Sequence, residues 1–151
     1  MTLVETATAA SPNHIWLLTT AAVIMVISLT EAWIVSLIYY LRVGFLRSMF
    51  PSPHQLIRSH VDYLIMAALL GFFYISTQAV GITLPNIILV LICLGALYNP
   101  FPFIFMAMQA DVGAARKNMS RTTGLVICIG FLPVTIGFGY TAIAVLSKIL
   151  L

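Results

Sequence analysis

Four apolar runs, at residues 15–41, 61–80, 84–110 and 122–150, are each long enough to cross a bilayer, and together they fill most of this 151-residue chain. A hydrocarbon core of about 30 Å takes about 20 residues of helix. Its lack of water forces backbone groups to bond within their own segment, so the runs are expected to be helices rather than strands. Composition leads the same way: 62% of residues are hydrophobic and 7% charged, with a mean hydropathy of +1.09, and no water-soluble domain of this size could hide that much apolar surface. The expected fold class is an all-α membrane protein, a single four-transmembrane-helix bundle over residues 1–151, with helices at 15–41, 53–80, 84–110 and 122–150. The tail MTLVETATAASPNH has no basic stretch and the run after it is too long for a signal peptide's core, so the first run is expected to be an uncleaved helix.

Basic residues give the expected orientation. Arg42, Arg47 and Arg58 flank the first loop, Arg116, Lys117 and Arg121 flank the third, and only Lys148 lies elsewhere. This bias puts loops one and three in the cytoplasm and both termini on the outer side. The formal charge of +3 is then a topology signal that also suits anionic lipid headgroups; the partner it implies is the lipid bilayer, with no nucleic acid. Loop two, TQAVGITLPN, is short and uncharged, which suits a tight hairpin with Pro85 near the start of helix three. Cys93 and Cys128 fall at different depths on helices three and four, so both are expected to pack rather than to pair.

The polar stretch SPHQLIRSH at residues 52–60 opens helix two. Ser52 is placed as N-cap, Pro53 at the first helical position, and Gln55 three residues after the serine to reach back to it. His60 then stands roughly 10 Å along the helix, near where the hydrocarbon begins. Arg58 and Asp62 are spaced i, i+4 and can pair on one face, while His60 points to the opposite one. Below His60 come Tyr63 or Leu64, then Ala67 and Gly71, and small residues there admit another helix or something flat. Two readings of His60 stand: a polar residue at the membrane interface, or a ligand to a metal or haem iron. His54 is too far round the helix to share a metal with it.

Three further features converge at mid-membrane. Glu31 lies in helix one, where a carboxylate costs several kcal/mol unless protonated, paired or hydrated, so it is expected to face the bundle interior, near Asn99 and Thr135. Helix three carries YNPFPF, in which Pro100 and Pro102 remove two donors and free carbonyls near Tyr98 and Asn99. Helix four carries GFLPVTIGFG, read as a second broken, small-residue stretch around Pro133. These features outline either a pocket or a kinked, tightly packed bundle. Met66, Met106, Met108 and the Phe-rich run 101–105 are read as core or lipid-facing.

The string Ser52-Pro53, four residues, Arg58, one residue, His60, opening the second of four helices in a very small chain, resembles the styrene oxide isomerases. These are small four-helix bacterial membrane proteins that bind haem b, and the resemblance implies that His60 is the axial ligand to the iron; Arg58 of the same motif, and Tyr63, Ala67 and Gly71 below His60 on its helix face, are then the residues expected around the cofactor. It further implies a multi-pass protein of the bacterial inner (cytoplasmic) membrane, a homotrimer, and a ferric haem acting as a Lewis acid that rearranges a small apolar epoxide to an aldehyde. The motif covers loop one and the start of helix two; topology alone covers the rest. The family has an asparagine after the histidine and a tyrosine on helix three, where this chain has Met66 and Phe103, so Asn99, Tyr98 and Glu31 are the candidate catalytic groups. The remaining function classes are a haem sensor, carrier or electron-transfer protein, and a cofactor-free membrane scaffold subunit.

Overall fold

The computed structural model describes residues 15–109 and 121–150, with side chains described in the second segment from Gly130 onward. Among these residues the chain is helical, with no strand: α1 (Ile15–Tyr39), α2 (Gly44–Met49), α3 (Pro53–Ala79), α4 (Asn86–Tyr98), α5 (Phe101–Ala107) and α6 (Arg121–Leu150). Four spans are long and apolar enough to cross a membrane, Ile15–Tyr39, Pro53–Ala79, Asn86–Ala107 and Gly130–Leu150, so the chain is an all-α, four-helix protein of membrane-spanning composition. The expectations for Cys128, for the loop-three cations Arg116 and Lys117, for the Arg121 side chain and for the N-terminal tail lie outside what is described.

The bundle is built from two helix pairs. α1 buries Leu17, Ala21, Ile24, Ser28, Glu31 and Ile38, a seam of alternating three- and four-residue steps, against Leu56, Ser59, Tyr63, Ala67, Leu70, Phe73 and Thr77 of α3. Such spacing keeps one stripe of each helix turned toward its partner. The second pair, α4 with α6, is held by small residues: a Cβ on Gly95 would sit 2.6 Å from the Val134 backbone nitrogen, one on Gly137 2.5 Å from Ile92, and one on Gly130 2.7 Å from the Tyr98 ring. Without a hydrophobic drive between helices in lipid, close backbone approach of this kind supplies the packing energy. The Phe73 and Phe138 rings stack at 5.3 Å and join the two pairs.

Local sequence explains the ends of the elements. α3 stops in a Schellman motif: Gly81 takes φ 65, its N–H bonds Gln78 and the Ile82 N–H bonds Thr77, a geometry that glycine enters without steric cost. Pro85 precedes α4 as its N-cap. The third span is interrupted where YNPFPF placed the fault, α4 ending at Tyr98 and α5 resuming at Phe101, because Pro100 and Pro102 cannot donate one turn back. The fourth is not: α6 runs unbroken through Pro133, correcting the second expected break. Loop one holds the additional short helix α2, after a turn in which Arg42 adopts φ 50.

Ser52 behaves differently from the expected capping box. It is the N-cap of α3 by position and Pro53 is at the first turn, but no side-chain cap bond forms. Its hydroxyl donates instead to the Gln109 carbonyl (2.7 Å) and its N–H to the Ala107 carbonyl (3.1 Å). The last carbonyls of α5 lack helical donors, and Ser52 meets the final one, at Ala107, together with the Gln109 carbonyl two residues beyond, tying the start of α3 to the end of the third span.

Candidate functional site

Two apolar clusters make up the core. One gathers Leu17, Ile24, Tyr63, Leu70, Ile92 and Ala96 among others; the smaller one holds Ile38, Phe50, Leu56 and Ala107. Beside them, at Ser28 and Glu31 of α1, Gln55, Ser59 and His60 of α3 and Asn99–Pro100 at the break, runs a polar layer. This layer is the candidate site.

His60 is half-buried at the edge of the α1–α3 seam. Its Nδ1 lies 2.9 Å from the Ser28 carbonyl and 2.8 Å from the Ser28 hydroxyl, while that hydroxyl donates to the His60 carbonyl at 3.1 Å. A carbonyl only accepts, so Nδ1 carries the hydrogen and, in the neutral ring, Nε2 keeps its lone pair. Nε2 makes no hydrogen bond among the described residues. The ring is thus held by one nitrogen with the other left available, the arrangement that orients metal-ligating histidines.

Glu31 faces the interior as expected and is 4% exposed. Its partner, however, is Ser59, whose hydroxyl donates to Oε1 at 2.7 Å and reaches the Pro100 carbonyl at 3.3 Å. Thr135, expected nearby, is exposed on α6: α6 packs chiefly on α4, with α4 and α3 between it and most of α1. Asn99 sits beside Pro100 with its Oδ1 enclosed and unbonded.

The remaining candidates divide. Tyr63 and Ala67 are core residues at 2% and 5% exposure, and the Tyr63 hydroxyl is committed to the Leu97 carbonyl at 3.1 Å, one of the carbonyls near the break. Gly71 is half-buried with nothing within 4 Å of a Cβ built on it, so the space beside it is open. Arg58 is exposed and, with Asp62, Ile57, Val61 and Phe103, lines an open groove of about 350 Å³ on the outer side of α3. Tyr98 is 40% exposed, packed on Gly130 and Phe101 rather than in the polar layer. Met66 packs against the larger core cluster. Ser28, Gln55 and Ser59 were missed as site residues by sequence reasoning; the signal was their place on the buried stripes, Ser28 three residues before Glu31 and Ser59 four after Gln55.

Comparison with protein families, with characterised proteins and with solved structures finds no match to this chain.

Proposed function

We propose that this chain is a membrane haem b protein in which His60 would hold the iron through Nε2. The observation that carries the reading is the Ser28 clamp on Nδ1, which leaves the distal nitrogen of a half-buried imidazole free at the rim of the bundle. Two further features suit the group. Arg58, exposed at the same end of α3 as His60, would supply a cation for propionates through charge-assisted bonds, and Gly71 leaves open space where a larger side chain would stand. Tyr63 and Ala67 support the helix face from behind, inside the core, rather than touch a cofactor.

The chemistry supplied by a bound ferric haem is Lewis acidity toward an oxygen ligand, and the resemblance to the styrene oxide isomerases makes a small apolar epoxide, drawn from the bilayer, the proposed substrate. The chain's own contribution is to hold the imidazole, exclude water with the apolar residues around it, and admit the substrate from lipid. Met66 and Phe103 offer no hydrogen bond to steady charge developing on the substrate, so haem binding is the primary proposal and isomerisation to an aldehyde the second. A homotrimer in the bacterial inner membrane belongs to the same proposal: four helices enclose too little volume for a haem and a substrate, and a cavity between subunits meets the need.

The test is reconstitution of the purified chain with hemin, beside His60→Ala and His54→Ala. Wild type and His54→Ala should give the same Soret band and His60→Ala should lose it. A wild-type spectrum from His60→Ala, or no uptake by wild type, overturns the reading in favour of a cofactor-free scaffold. Conversion of an aryl epoxide to its aldehyde by the loaded protein, and its absence from the His60→Ala preparation, checks the second step.

A further inference from the structure

Three enclosed side-chain oxygens have no hydrogen-bond partner among the described residues: Glu31 Oε2, Gln55 Oε1 and Asn99 Oδ1. They come from α1, α3 and the α4–α5 break, and those elements converge on Ser59, whose hydroxyl touches both Glu31 and the Pro100 carbonyl. Gln55 lies one turn before Ser59 on the same side of α3, and Asn99 directly precedes Pro100. Glu31 and Gln55 are 4% and 3% exposed, so neither finds a donor in bulk water. The Gln55 amide nitrogen is taken by His54 Nε2 at 3.2 Å, which leaves its oxygen as the enclosed atom. The break adds acceptors, since Pro100 and Pro102 cannot donate to the Ala96 and Tyr98 carbonyls. An enclosed oxygen without a donor has lost its hydration with nothing in return, a larger loss if it is charged, and here three such oxygens lie on converging elements.

We infer that this acceptor-rich layer binds a small monovalent cation, sodium or a proton, with Glu31 as the charged ligand and Gln55, Asn99 and the freed carbonyls as neutral oxygens. The donors are all oxygen, and no three His, Cys, Asp or Glu side chains among the described residues group as a transition metal would require. One carboxylate balances one positive charge, whereas a divalent ion would leave uncompensated charge inside the hydrocarbon. Carbonyls freed by a broken helix are also what membrane proteins use to hold sodium or protons at mid-bilayer.

Among the described residues, no side chain on the surrounding elements forms an ion pair with Glu31. The Tyr63 phenol of α3 donates to the Leu97 carbonyl. Arg58 is exposed and lines the outer groove of α3 beside Asp62, and His60 is held by Ser28. α4 and α5 contain no acidic or basic residue. The inference stands apart from the haem reading, because none of its ligands touches His60 and its test needs no haem.

The experiment compares unfolding midpoints of the purified full chain in sodium chloride and in choline chloride at equal ionic strength, together with infrared spectra of the protonated-carboxyl C=O stretch. For sodium, the midpoint should rise by roughly 3–6 °C at tenfold excess over Kd, and Glu31→Gln should abolish the rise. For a proton, the midpoint should ignore sodium, and a carboxyl band should appear in wild type, vanish in Glu31→Gln and move in Asn99→Ala. Equal midpoints with no such band overturn the inference. Should Glu31→Gln not fold, Gln55→Leu and Asn99→Ala take its place: a weakened sodium response or a displaced band supports the site, and wild-type behaviour in both variants overturns it.

Discussion

Ser28 and Ser59 are single hydroxyls on which two larger side chains depend. Removing the Ser28 hydroxyl leaves its carbonyl as the brace on the His60 ring, so under the proposed haem reading Ser28→Ala should weaken hemin binding about 10–100-fold, as loss of an outer partner of a ligand does, and a hemin titration measures it. Ser59→Ala strips the hydrogen bond from Glu31 Oε1 and leaves both carboxyl oxygens bare. It should cost about 1–3 kcal/mol of stability in detergent unfolding. Ser36→Ala, whose hydroxyl bonds only the Ala32 carbonyl of its own helix, is the control and should change little.

At the scale of elements the two helix pairs differ in what holds them. The α1–α3 seam is side chain against side chain, whereas α4 and α6 meet backbone to backbone at Gly95 and Val134. Gly95→Ala should therefore destabilise by about 1–3 kcal/mol, because the atom in the way belongs to the main chain and cannot change rotamer. Gly139→Ala, with nothing within 4 Å, should be neutral or gain a few tenths; unfolding midpoints of the two variants test the contrast. The helices themselves were legible because hydropathy and proline chemistry act locally: span lengths, Pro53, the hairpin at Gly81 and the fault at Asn99–Pro100 all follow from short stretches of sequence. Pro133 misled because its effect depends on context. A helix loses one bond at a proline yet continues when its neighbours hold it, and Gly130, Val134 and Gly137 bind α6 to α4 on either side of that residue.

For the whole molecule, Ser52 bonded to Ala107 and Gln109 sets loop one beside the end of α5, while the Cys93 thiol, 3.8 Å from the Trp16 carbonyl, sets the start of α1 beside α4. Exposed Arg42, Arg47 and Arg58 thus gather at one end of the bundle. With the native cysteines replaced, a cysteine at Ser48 should resist an impermeant thiol reagent added outside intact cells and one at Thr83 should react; the reverse labelling would invert the proposed orientation. Which residues face inward was partly readable, since a carboxylate such as Glu31 has few places to go in lipid. Its partner was not, because Ser59 reaches it only through the pairing of α1 with α3, a relation between segments 28 positions apart. A separation of 32 positions likewise hid Ser28 from any reading of His60 within its own helix.

The Ser52 tether also bears on how the protein is made. The residue that opens the second span finds its carbonyl partner 57 positions later. At about 5–20 residues per second, a ribosome reaches Gln109 roughly 3–11 s after Ser52. During that interval the nascent first hairpin sits in the insertion machinery without the latch, free to adjust its depth and tilt. Emergence of the third span closes it, so a ribosome stalled short of Gln109 should leave a hairpin that proteases cut near loop one, and one stalled well beyond should not.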